Sequence, residues 1–520
     1  MIKNILKKDG STNKAALAWI GIVAVITFVA YMPSLQNGFV NWDDPLYVYE
    51  NHNIRAFDLK WLLSAVVVGN WHPLTMLSFA VDYSIWGLNP FGYHLTNILL
   101  HAINTFLVGV LALRLLCFKD VAAPMVVFSA FVTAALFGLH PLHVESAVWV
   151  SERKDVLSAL FFIMSIFFYL SYVSRPSWLF YSASLLSFVL ALMSKPMAIT
   201  LPAILLILDF YPLERLSGLN KGIKQVMAEK IPFLLLSSLS AIITLWAQGH
   251  AINSFESLPF MSRFYTAARA LVFYLYKIIF PSTLAPYYPH PLEIKLLELE
   301  YIGAIVILCL ITVLCLLKIR KMKFLTAAWL YYLITLSPVI GIVQVGAQAA
   351  ADRYMYLPSL GLFLLAGAGA AQITRKMDRK MVFAAVYPAV CALAAVLVFL
   401  TVKQAAIWKD SITLWSHEIE YIGKVNKSKS VPLVIAYYNR AKAYDQIGDT
   451  GRAIEDYSRA ISINPEFVNA YNNRGIAYGT IGDFENAIMD FDTALSLNPG
   501  DPEASHNREL ARRAMERGVY

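Results

Sequence analysis

Residues 301–318 read YIGAIVILCLITVLCLLK and contain no charged side chain before Lys318. A helix needs about 20 mostly apolar residues to cross the hydrocarbon core of a bilayer, and this block has that character. Similar blocks recur up to about residue 402, so the sequence predicts an all-α polytopic membrane domain with about eleven spanning helices. The predicted spans are residues 15–33, 93–116, 121–139, 155–173, 177–194, 197–213, 232–249, 301–318, 324–342, 355–373 and 381–402.

The basic residues between these blocks predict the orientation of the domain. With the N-terminus in the cytoplasm, the dense Lys and Arg clusters at 215–230 and 318–323 fall on the cytoplasmic side. A further span at 264–281 would move 318–323 to the other side, so we predict that 264–281 and the short stretch 73–88 lie in the membrane interface. The first block is too long for a signal peptide and is expected to remain as a helix. An odd number of spans places the C-terminus outside, and topology accounts for the net charge of +8 without nucleic acid.

The tail beyond about residue 403 is charged and repeats itself with a period of about 34 residues. Corresponding positions in the two units are Tyr437 and Tyr471, Asn439 and Asn473, Asp449 and Asp483, Tyr457 and Phe491, and Pro465 and Pro499. This period, with small and aromatic residues at fixed places, is typical of tetratricopeptide (TPR) helix pairs. We predict a membrane domain at 1–403 and a TPR domain at 404–520, with repeats at about 434–467 and 468–501 and a capping helix at about 502–518.

Asn439 and Asn473 occupy the position that faces the concave groove of a TPR array. An amide there can hydrogen-bond the backbone of an extended peptide, although the same residues equally fit an unused surface. A TPR array is a binding module and supplies no catalysis by itself.

The predicted outside loops gather the polar side chains of the membrane domain on one membrane face. They contain Asp43, Asp44, His72, His94, His140, His143, Glu145, Lys195, Asp352 and Arg353, and Arg153, Lys154 and Asp155 lie at the edge of one loop. Loops that are exposed to water are polar in most proteins, but these loops are also rich in Trp and Tyr and poor in Lys and Arg. Convergence of this kind is what an active site at a bilayer surface needs.

Two adjacent carboxylates, Asp43 and Asp44, follow the first span. Like charges side by side raise the pKa of one of them, which suits a general base that takes a proton from a hydroxyl. The alternative is an Asx turn before Pro45. A general base and a simple turn both remain open from spacing alone.

The run HPLHVESAVWVSERKD at 140–155 could hold a metal through His140, His143 and Glu145, but the spacing is not that of a strong zinc site. Arg153 and Lys154 in the same run suit phosphate binding. The sequence therefore predicts no specific cofactor and no metal ligand, and it leaves open whether a divalent cation binds.

Two more cations are candidates for phosphate binding. Arg353 follows Asp352 where an outside loop enters a span, and Lys195 sits in a very short outside turn. A guanidinium matches phosphate geometry. Snorkelling towards the interface is the alternative for both side chains.

Five segments together resemble the transmembrane-and-TPR protein O-mannosyltransferases within the GT-C membrane glycosyltransferase superfamily. They are NWDD at 41–44, WHPL at 71–74, GYHLTNILLH at 92–101, HPLHVES at 140–146 and DRYMYLPS at 352–359. The resemblance implies a GT-C fold, a lipid-phosphate-linked sugar donor and a catalytic acidic pair, which matches Asp43 and Asp44. Many relatives have Asp-Glu here instead, so the resemblance leaves open which carboxylate is the base.

These observations predict an inverting membrane glycosyltransferase. It would move a sugar from a polyprenyl-phosphate donor to a hydroxyl, expected to be Ser or Thr, of an exported protein held by the TPR domain. Its partners would be that donor, the exported acceptor and membrane lipids. We expect it in a bacterial inner membrane with the TPR domain in the periplasm. The alternative is a non-catalytic TPR scaffold, or a protein that handles lipid-linked sugars in envelope assembly.

Overall fold

The computed structural model describes residues 10–117, 123–216, 221–249, 259–290, 298–342, 348–425 and 431–517. Apart from one small sheet, the regular elements in these ranges are helices, which confirms the all-α class. Of the basic residues that precede the first predicted span, Lys3, Lys7 and Lys8 lie outside the described ranges, whereas Lys14 lies in a helix.

The chain forms two compact units. The first, the membrane unit, contains Met1–Asn37, Asp44–Leu284 and Tyr288–Ala406. The second, the TPR unit, contains Gly38–Asp43, Ala285–Tyr287 and Ile407–Tyr520.

The membrane unit is built from helices that we number in chain order. They are α1 Gly10–Tyr31, α2 His52–Arg55, α3 Leu59–Ser64, α4 Pro73–Trp86, α5 Pro90–Cys117, α6 Ala123–Leu139, α7 Val144–Val148, α8 Arg153–Ser174, α9 Trp178–Ser194, α10 Leu201–Phe210, α11 Lys221–Ala247, α12 Phe260–Ile279, α13 Leu299–Lys318, α14 Lys323–Leu336, α15 Ser359–Arg375, α16 Arg379–Met381 and α17 Tyr387–Ala405. Short 3₁₀ or π segments lie at Met32–Gln36, Pro45–Tyr49, Pro141–His143, Val150–Glu152, Pro196–Thr200, Asp352–Met355 and Val382–Val386.

Six helices within the described ranges are long and apolar enough to cross a membrane. They are Lys14–Gln36, Pro90–Leu116, Val150–Ser174, Gly222–Ala247, Leu299–Lys318 and Val382–Trp408, and a bent pair makes a seventh if it is counted as one span. The protein is therefore an integral membrane protein. Helix occurs in each of the predicted blocks, but Trp178–Ser194, Pro196–Phe210 and Lys323–Leu336 are shorter apolar helices. The count of about eleven spans stays a prediction.

The bent pair, Pro124–Leu139 and Pro141–Val148, turns by 52°. Pro141 has no amide hydrogen and cannot continue the hydrogen bonding of α6, so the helix ends at Leu139. Short turns then lead through α7 to α8, and every residue of this break from 141 to 159 is buried. The break thus carries Glu145 and Glu152 into the interior of the membrane unit.

Glycines let three helices of this unit approach closely. A Cβ added to Gly138 of α6 would lie 2.2 Å from the Oγ1 of Thr27, and one added to Gly367 of α15 would lie 2.5 Å from the Ser129 carbonyl. Small residues at helix contacts are the usual way in which membrane helices pack. These contacts hold α6 between α1 and α15.

The one small sheet pairs β1 (Tyr288–Pro289) with β2 (Gln348–Ala350) in antiparallel fashion, with Tyr288 opposite Ala350. Asp352 lies two residues after the end of β2, and the Tyr288 hydroxyl donates a hydrogen bond of 2.9 Å to its carboxylate. The sheet therefore fixes the start of the segment that carries Arg353.

The TPR unit contains six α-helices in its described part. They are α18 Ser411–Val425, α19 Val431–Gln446, α20 Thr450–Ile463, α21 Val468–Thr480, α22 Phe484–Leu497 and α23 Pro502–Glu516. Asp449 and Asp483 cap the second helix of each repeat through their side chains. Their spacing of 34 residues reproduces the repeat. The helix α23 follows the second repeat, and its role as a capping helix stays a prediction.

An Arg–Asp pair recurs in each repeat. The Arg440 guanidinium donates to the Asp456 carboxylate at 2.6 and 2.9 Å, and Arg474 donates to Asp490 at 2.8 and 2.7 Å. Two-pronged pairing of this kind fixes both partners. The pairs tie the first helix of each repeat to the second.

Candidate active site

We call residues 38–48 the acidic loop, because they contain Asp43 and Asp44. Asp44 begins the part of this loop that belongs to the membrane unit. It is 1% exposed. Its Oδ1 accepts a hydrogen bond of 3.1 Å from the Ser151 amide and another from the Ser151 hydroxyl. Asp43 is half-buried and belongs to the TPR unit. The two adjacent carboxylates are therefore not equivalent, because Asp44 is anchored in the protein interior by Ser151.

Three cations surround the buried carboxylate of Glu152. Lys154 Nζ lies 3.0 Å, Arg353 Nε 3.3 Å and Lys195 Nζ 3.4 Å from its oxygens. Arg353 also pairs with Glu145, which accepts the Arg353 backbone N–H at 2.8 Å. Charges attract strongly at such distances when water is excluded. The pairing explains how so many ionised groups can be buried together.

Asp155 completes this group, which we call the charge cluster. Its carboxylate pairs with Lys195 and accepts a hydrogen bond of 2.9 Å from Ser146. The members of the cluster are Glu145, Glu152, Lys154, Asp155, Lys195 and Arg353, which are three acids and three cations. The side chains of the cations are 9–12% exposed, whereas that of Glu152 is 2% exposed. The accessible part of the cluster is therefore mainly cationic.

Arg353 is held by its neighbours in one orientation. Its guanidinium lies 5.6 Å from the centre of the Trp149 ring and 5.2 Å from that of Tyr354. The charge of Glu145 raises the pKa of Arg353 well above its usual value, despite the opposing effect of burial. Arg353 is therefore a permanent cation in a fixed place.

Asp352, next to Arg353, has a different environment. Burial, and secondarily the charge of Glu145, raise the pKa of Asp352 well above its usual value. Its bond from Tyr288 is the contact described above. We interpret Asp352 as a support for the segment that carries Arg353.

His72 stands beside the charge cluster. It is 1% exposed, and within the part of the chain described here neither ring nitrogen has a hydrogen-bond partner. Its ring packs 5.2 Å from the ring of Tyr47, over which Lys154 Nζ also lies at 5.0 Å. Buried polar groups are nearly always hydrogen-bonded in a complete site. Within the described residues, the protein itself supplies neither ring nitrogen of His72 with a hydrogen bond.

The pH dependence of stability should report on this histidine. Burial, and then the charge of Lys154, lower the pKa of His72 to about 3, so the folded protein keeps the imidazole neutral at pH 5. The unfolded chain binds a proton below about pH 6.5. Because the unfolded state then holds more protons, the free energy of unfolding should decrease by about 2 kcal/mol from this residue between pH 7 and pH 5.

We expect His72→Gln to remove that part of the pH dependence, as measured by thermal unfolding in detergent. His52→Gln, which changes an exposed histidine on α2, is the matched control and should leave the profile unchanged. An unaltered profile for His72→Gln would contradict this assignment.

Arg153 lies apart from the cations of the cluster, and phosphate binding by this residue stays a prediction. It is fully buried, and it donates to Asn97 at 2.7 Å and to the Tyr93 carbonyl at 2.8 Å while pairing with Asp82. Consecutive helix residues point about 100° apart, so Arg153 and Lys154 face different neighbours. Its donors tie α8 to α4 and α5, and we leave it out of the proposed phosphate ligands.

The histidines of the 140–155 run are engaged by the protein. His140 accepts the Leu142 N–H at Nδ1 and lies 3.0 Å from the Ile278 carbonyl at Nε2. His143 lies 2.7 Å from the Phe137 carbonyl and 2.9 Å from the Ser359 hydroxyl. Both act as core histidines that hold the bent pair.

His94 is buried in α5. Among the residues that the structure describes, no group of three His, Cys, Asp or Glu side chains is placed to hold a metal ion.

The predicted groove residues lie in the TPR unit. The Asn473 amide donates to the Tyr438 hydroxyl at 3.0 Å. Asn439 is half-buried, and its backbone carbonyl accepts a hydrogen bond of 2.7 Å from the Asn41 amide. From the sequence, Asn41 is identified only as part of the NWDD motif, and the motif does not indicate that Asn41 contacts Asn439.

Sequence reasoning also missed the central place of Glu152. The signal was present, since Ser-Glu-Arg-Lys-Asp at 151–155 is a charged run that opens an otherwise apolar helix. Its spacing did not show which charged residue the others surround.

Two family models match the tail: "TPR repeat" at residues 441–482 and "Tetratricopeptide repeat" at residues 468–501. The chain is 24% identical over 502 residues to protein O-mannosyl-transferase TMTC1 of Homo sapiens, covering 85% of this chain and 55% of the relative. It is 25% identical over 491 residues to human TMTC3, covering 85% and 50%. These matches confirm the resemblance to the transmembrane-and-TPR O-mannosyltransferases. The chain spans about half the length of these curated relatives.

A shorter match reaches higher identity. Protein O-mannosyl-transferase Tmtc1 of Drosophila melanogaster is 30% identical over 195 residues, which cover 35% of this chain and 22% of the relative. Among solved structures, ArnT from Cupriavidus metallidurans bound to undecaprenyl phosphate covers 96% of this chain and 78% of its own, at 13% identity and a TM-score of 0.40. A TM-score of this size does not support a conclusion about the fold.

Proposed function

We propose that this integral membrane protein is an inverting glycosyltransferase. It would transfer a sugar, with mannose as the first candidate, from a polyprenyl-phosphate donor to a Ser or Thr hydroxyl of an exported protein. The observation that carries the proposal is the charge cluster, whose accessible part is cationic, in a chain similar to O-mannosyltransferases over 85% of its length. Buried, oriented cations stabilise charge that develops on a departing phosphate.

Asp43 is the proposed general base. It removes the proton from the acceptor hydroxyl, the oxygen attacks the anomeric carbon, and the bond from that carbon to the phosphate oxygen breaks. The phosphate leaves with the bonding electron pair, and the proton stays on Asp43. A single displacement inverts the anomeric centre. Asp44 is anchored by Ser151 and so holds the loop rather than exchanging the proton.

Arg353, Lys154 and Lys195 are the proposed phosphate ligands. Arg353 suits this role best, because its guanidinium offers five donors in a planar fork and keeps its charge. Pairing with Glu145 and Glu152 places it before the donor arrives, so little reorganisation is needed during the reaction.

His72 is the proposed ligand for a hydroxyl of the sugar. A neutral imidazole offers one donor and one acceptor, which match a hydroxyl. This proposal is supported by the burial of His72 beside Lys154 and by the lack of a protein hydrogen bond to either ring nitrogen within the described residues.

The TPR unit is proposed to bind the acceptor through Asn439 and Asn473. Two tethered binding steps raise the effective concentration of the acceptor at the membrane domain. The basic loops favour a cytoplasmic N-terminus and a periplasmic TPR unit in a bacterial inner membrane.

One observation favours a second reading. The charge cluster contains as many acids as cations and is therefore balanced without any ligand. A balanced cluster also fits a membrane scaffold without catalysis, in which the charges only hold helices together.

Purified protein in detergent, given radiolabelled polyprenyl-phosphate mannose and a periplasmic extract, decides between these functions. Label transferred to protein, and resistant to extraction with organic solvent, is the expected result. No transfer with mannose, glucose or aminosugar donors would favour the scaffold.

A further inference from the structure

The first part of the acidic loop, Gly38–Asp43, belongs to the TPR unit, although these residues lie far from the TPR repeats in the sequence. Asn41 makes three hydrogen bonds there. Its amide donates to the Asn439 carbonyl at 2.7 Å, its side-chain oxygen accepts the Trp415 indole N–H at 2.7 Å, and its backbone N–H donates to the Ser411 hydroxyl at 2.9 Å. The three bonds use donors and the acceptor of Asn41 together, so its position is tightly defined.

The residues on either side of Asn41 extend this attachment. The Gly38 N–H donates to the Lys409 carbonyl at 2.9 Å. The Trp42 ring packs 5.2 Å from the Trp415 ring and 6.3 Å from the Tyr287 ring. Aromatic contacts at these distances add specific attraction to the burial of apolar surface.

Asn41 is 6% exposed, so its bonds are made in surroundings with little water. Truncating its side chain leaves the Asn439 carbonyl and the Trp415 N–H without this partner, and an unmade bond is costly there. The loop therefore has one strongly preferred position on the TPR unit. Asp43 is two residues further along the chain and inherits that position.

We propose that the TPR unit positions the acidic loop for catalysis, with Asn41 and Trp415 as the positioning residues. This inference rests on the proposed function. It makes the TPR unit a part of the catalytic apparatus and not only a receptor for the acceptor. Asn439 would then have two roles, because its side chain is predicted to bind the acceptor and its carbonyl accepts the hydrogen bond that holds Asn41.

The test uses the full chain in detergent. Asn41→Ala and Trp415→Phe should each lower kcat for sugar transfer by about 10- to 100-fold, because small misplacements of a catalytic group have effects of this size. KM for the donor should not change, since neither residue belongs to the charge cluster. Trp415→Phe keeps an aromatic ring beside Trp42, but it removes the N–H donor together with one ring of the buried indole.

The double variant Asn41→Ala/Trp415→Phe should be about as slow as Asn41→Ala alone, because both changes break the same hydrogen bond. Ser496→Ala, which removes an exposed hydroxyl on α22, is the matched control and should transfer sugar like the wild type. Wild-type kcat in Asn41→Ala would overturn the inference.

Hydrogen–deuterium exchange separates this inference from the proposed function. Amides of residues 42–49 should exchange faster in Asn41→Ala than in the wild type or Ser496→Ala. If the wild type transfers no sugar, the proposed function fails, and faster exchange still supports the attachment of the loop. Unchanged exchange overturns the attachment, and faster exchange with unchanged kcat overturns the positioning role.

Discussion

Asp43→Asn is expected to reduce sugar transfer by about 1,000-fold, within the range that loss of a general base produces. Asn has nearly the same shape as Asp but cannot accept the proton from the acceptor hydroxyl. Binding of the donor should persist, because the proposed phosphate ligands are unchanged. The measurement is kcat for transfer from polyprenyl-phosphate mannose, beside donor binding by the same preparation.

Asp44→Asn is the matched control for this prediction. An amide oxygen can still accept the hydrogen bonds of Ser151, so we expect the loop to keep its place and transfer to fall only by about tenfold. If Asp44→Asn abolished transfer while Asp43→Asn kept it, the roles of the two carboxylates would be exchanged. Equal, wild-type transfer by both variants would support the scaffold.

Arg353→Met is expected to have the other large effect, on both stability and transfer. Removing the cation leaves Glu145 and Glu152 with an unbalanced buried charge, which costs about 3–5 kcal/mol. Loss of a preorganised group that stabilises charge on the phosphate should reduce kcat by about 100- to 1,000-fold. Thermal unfolding in detergent and transfer kinetics measure the two effects.

The double variant Arg353→Met/Glu145→Gln separates them. It removes one cation and one carboxylate, so the remaining cluster is balanced and much of the lost stability should return. If Arg353 binds the phosphate, transfer stays low in this stable double variant. Recovery of transfer together with stability would show that Arg353 has only a structural role.

The sequence could predict features that depend on neighbours along the chain. Apolar blocks such as residues 301–318 predicted helices, and the 34-residue period predicted the TPR repeats, which the family models match. It also named five members of the charge cluster, since charges are rare in apolar blocks and stand out there. The number of spans and the orientation stay predictions.

The sequence could not show which polar residues are already satisfied by the protein. Arg153 and Lys154 are adjacent cations in a charged run, and the sequence does not distinguish their roles. In the structure, Arg153 binds Asp82, Asn97 and the Tyr93 carbonyl, whereas Lys154 pairs with Glu152. The sequence likewise does not show whether His72 or His143 has a hydrogen-bond partner. Only the tertiary contacts show that His143 bonds to Ser359, whereas His72 lacks a partner in the described structure.

By itself, the sequence determined that this is a helical membrane protein with a TPR tail, because helix period and apolar length are local properties. Tertiary structure decided that Glu152 is the centre of the charge cluster and that Asn41 attaches the acidic loop to the TPR unit. Asn41 and Asn439 are 398 positions apart, and their hydrogen bond exists only because folding brings them together. No local pattern encodes such a contact, so it appears only when the chain is folded.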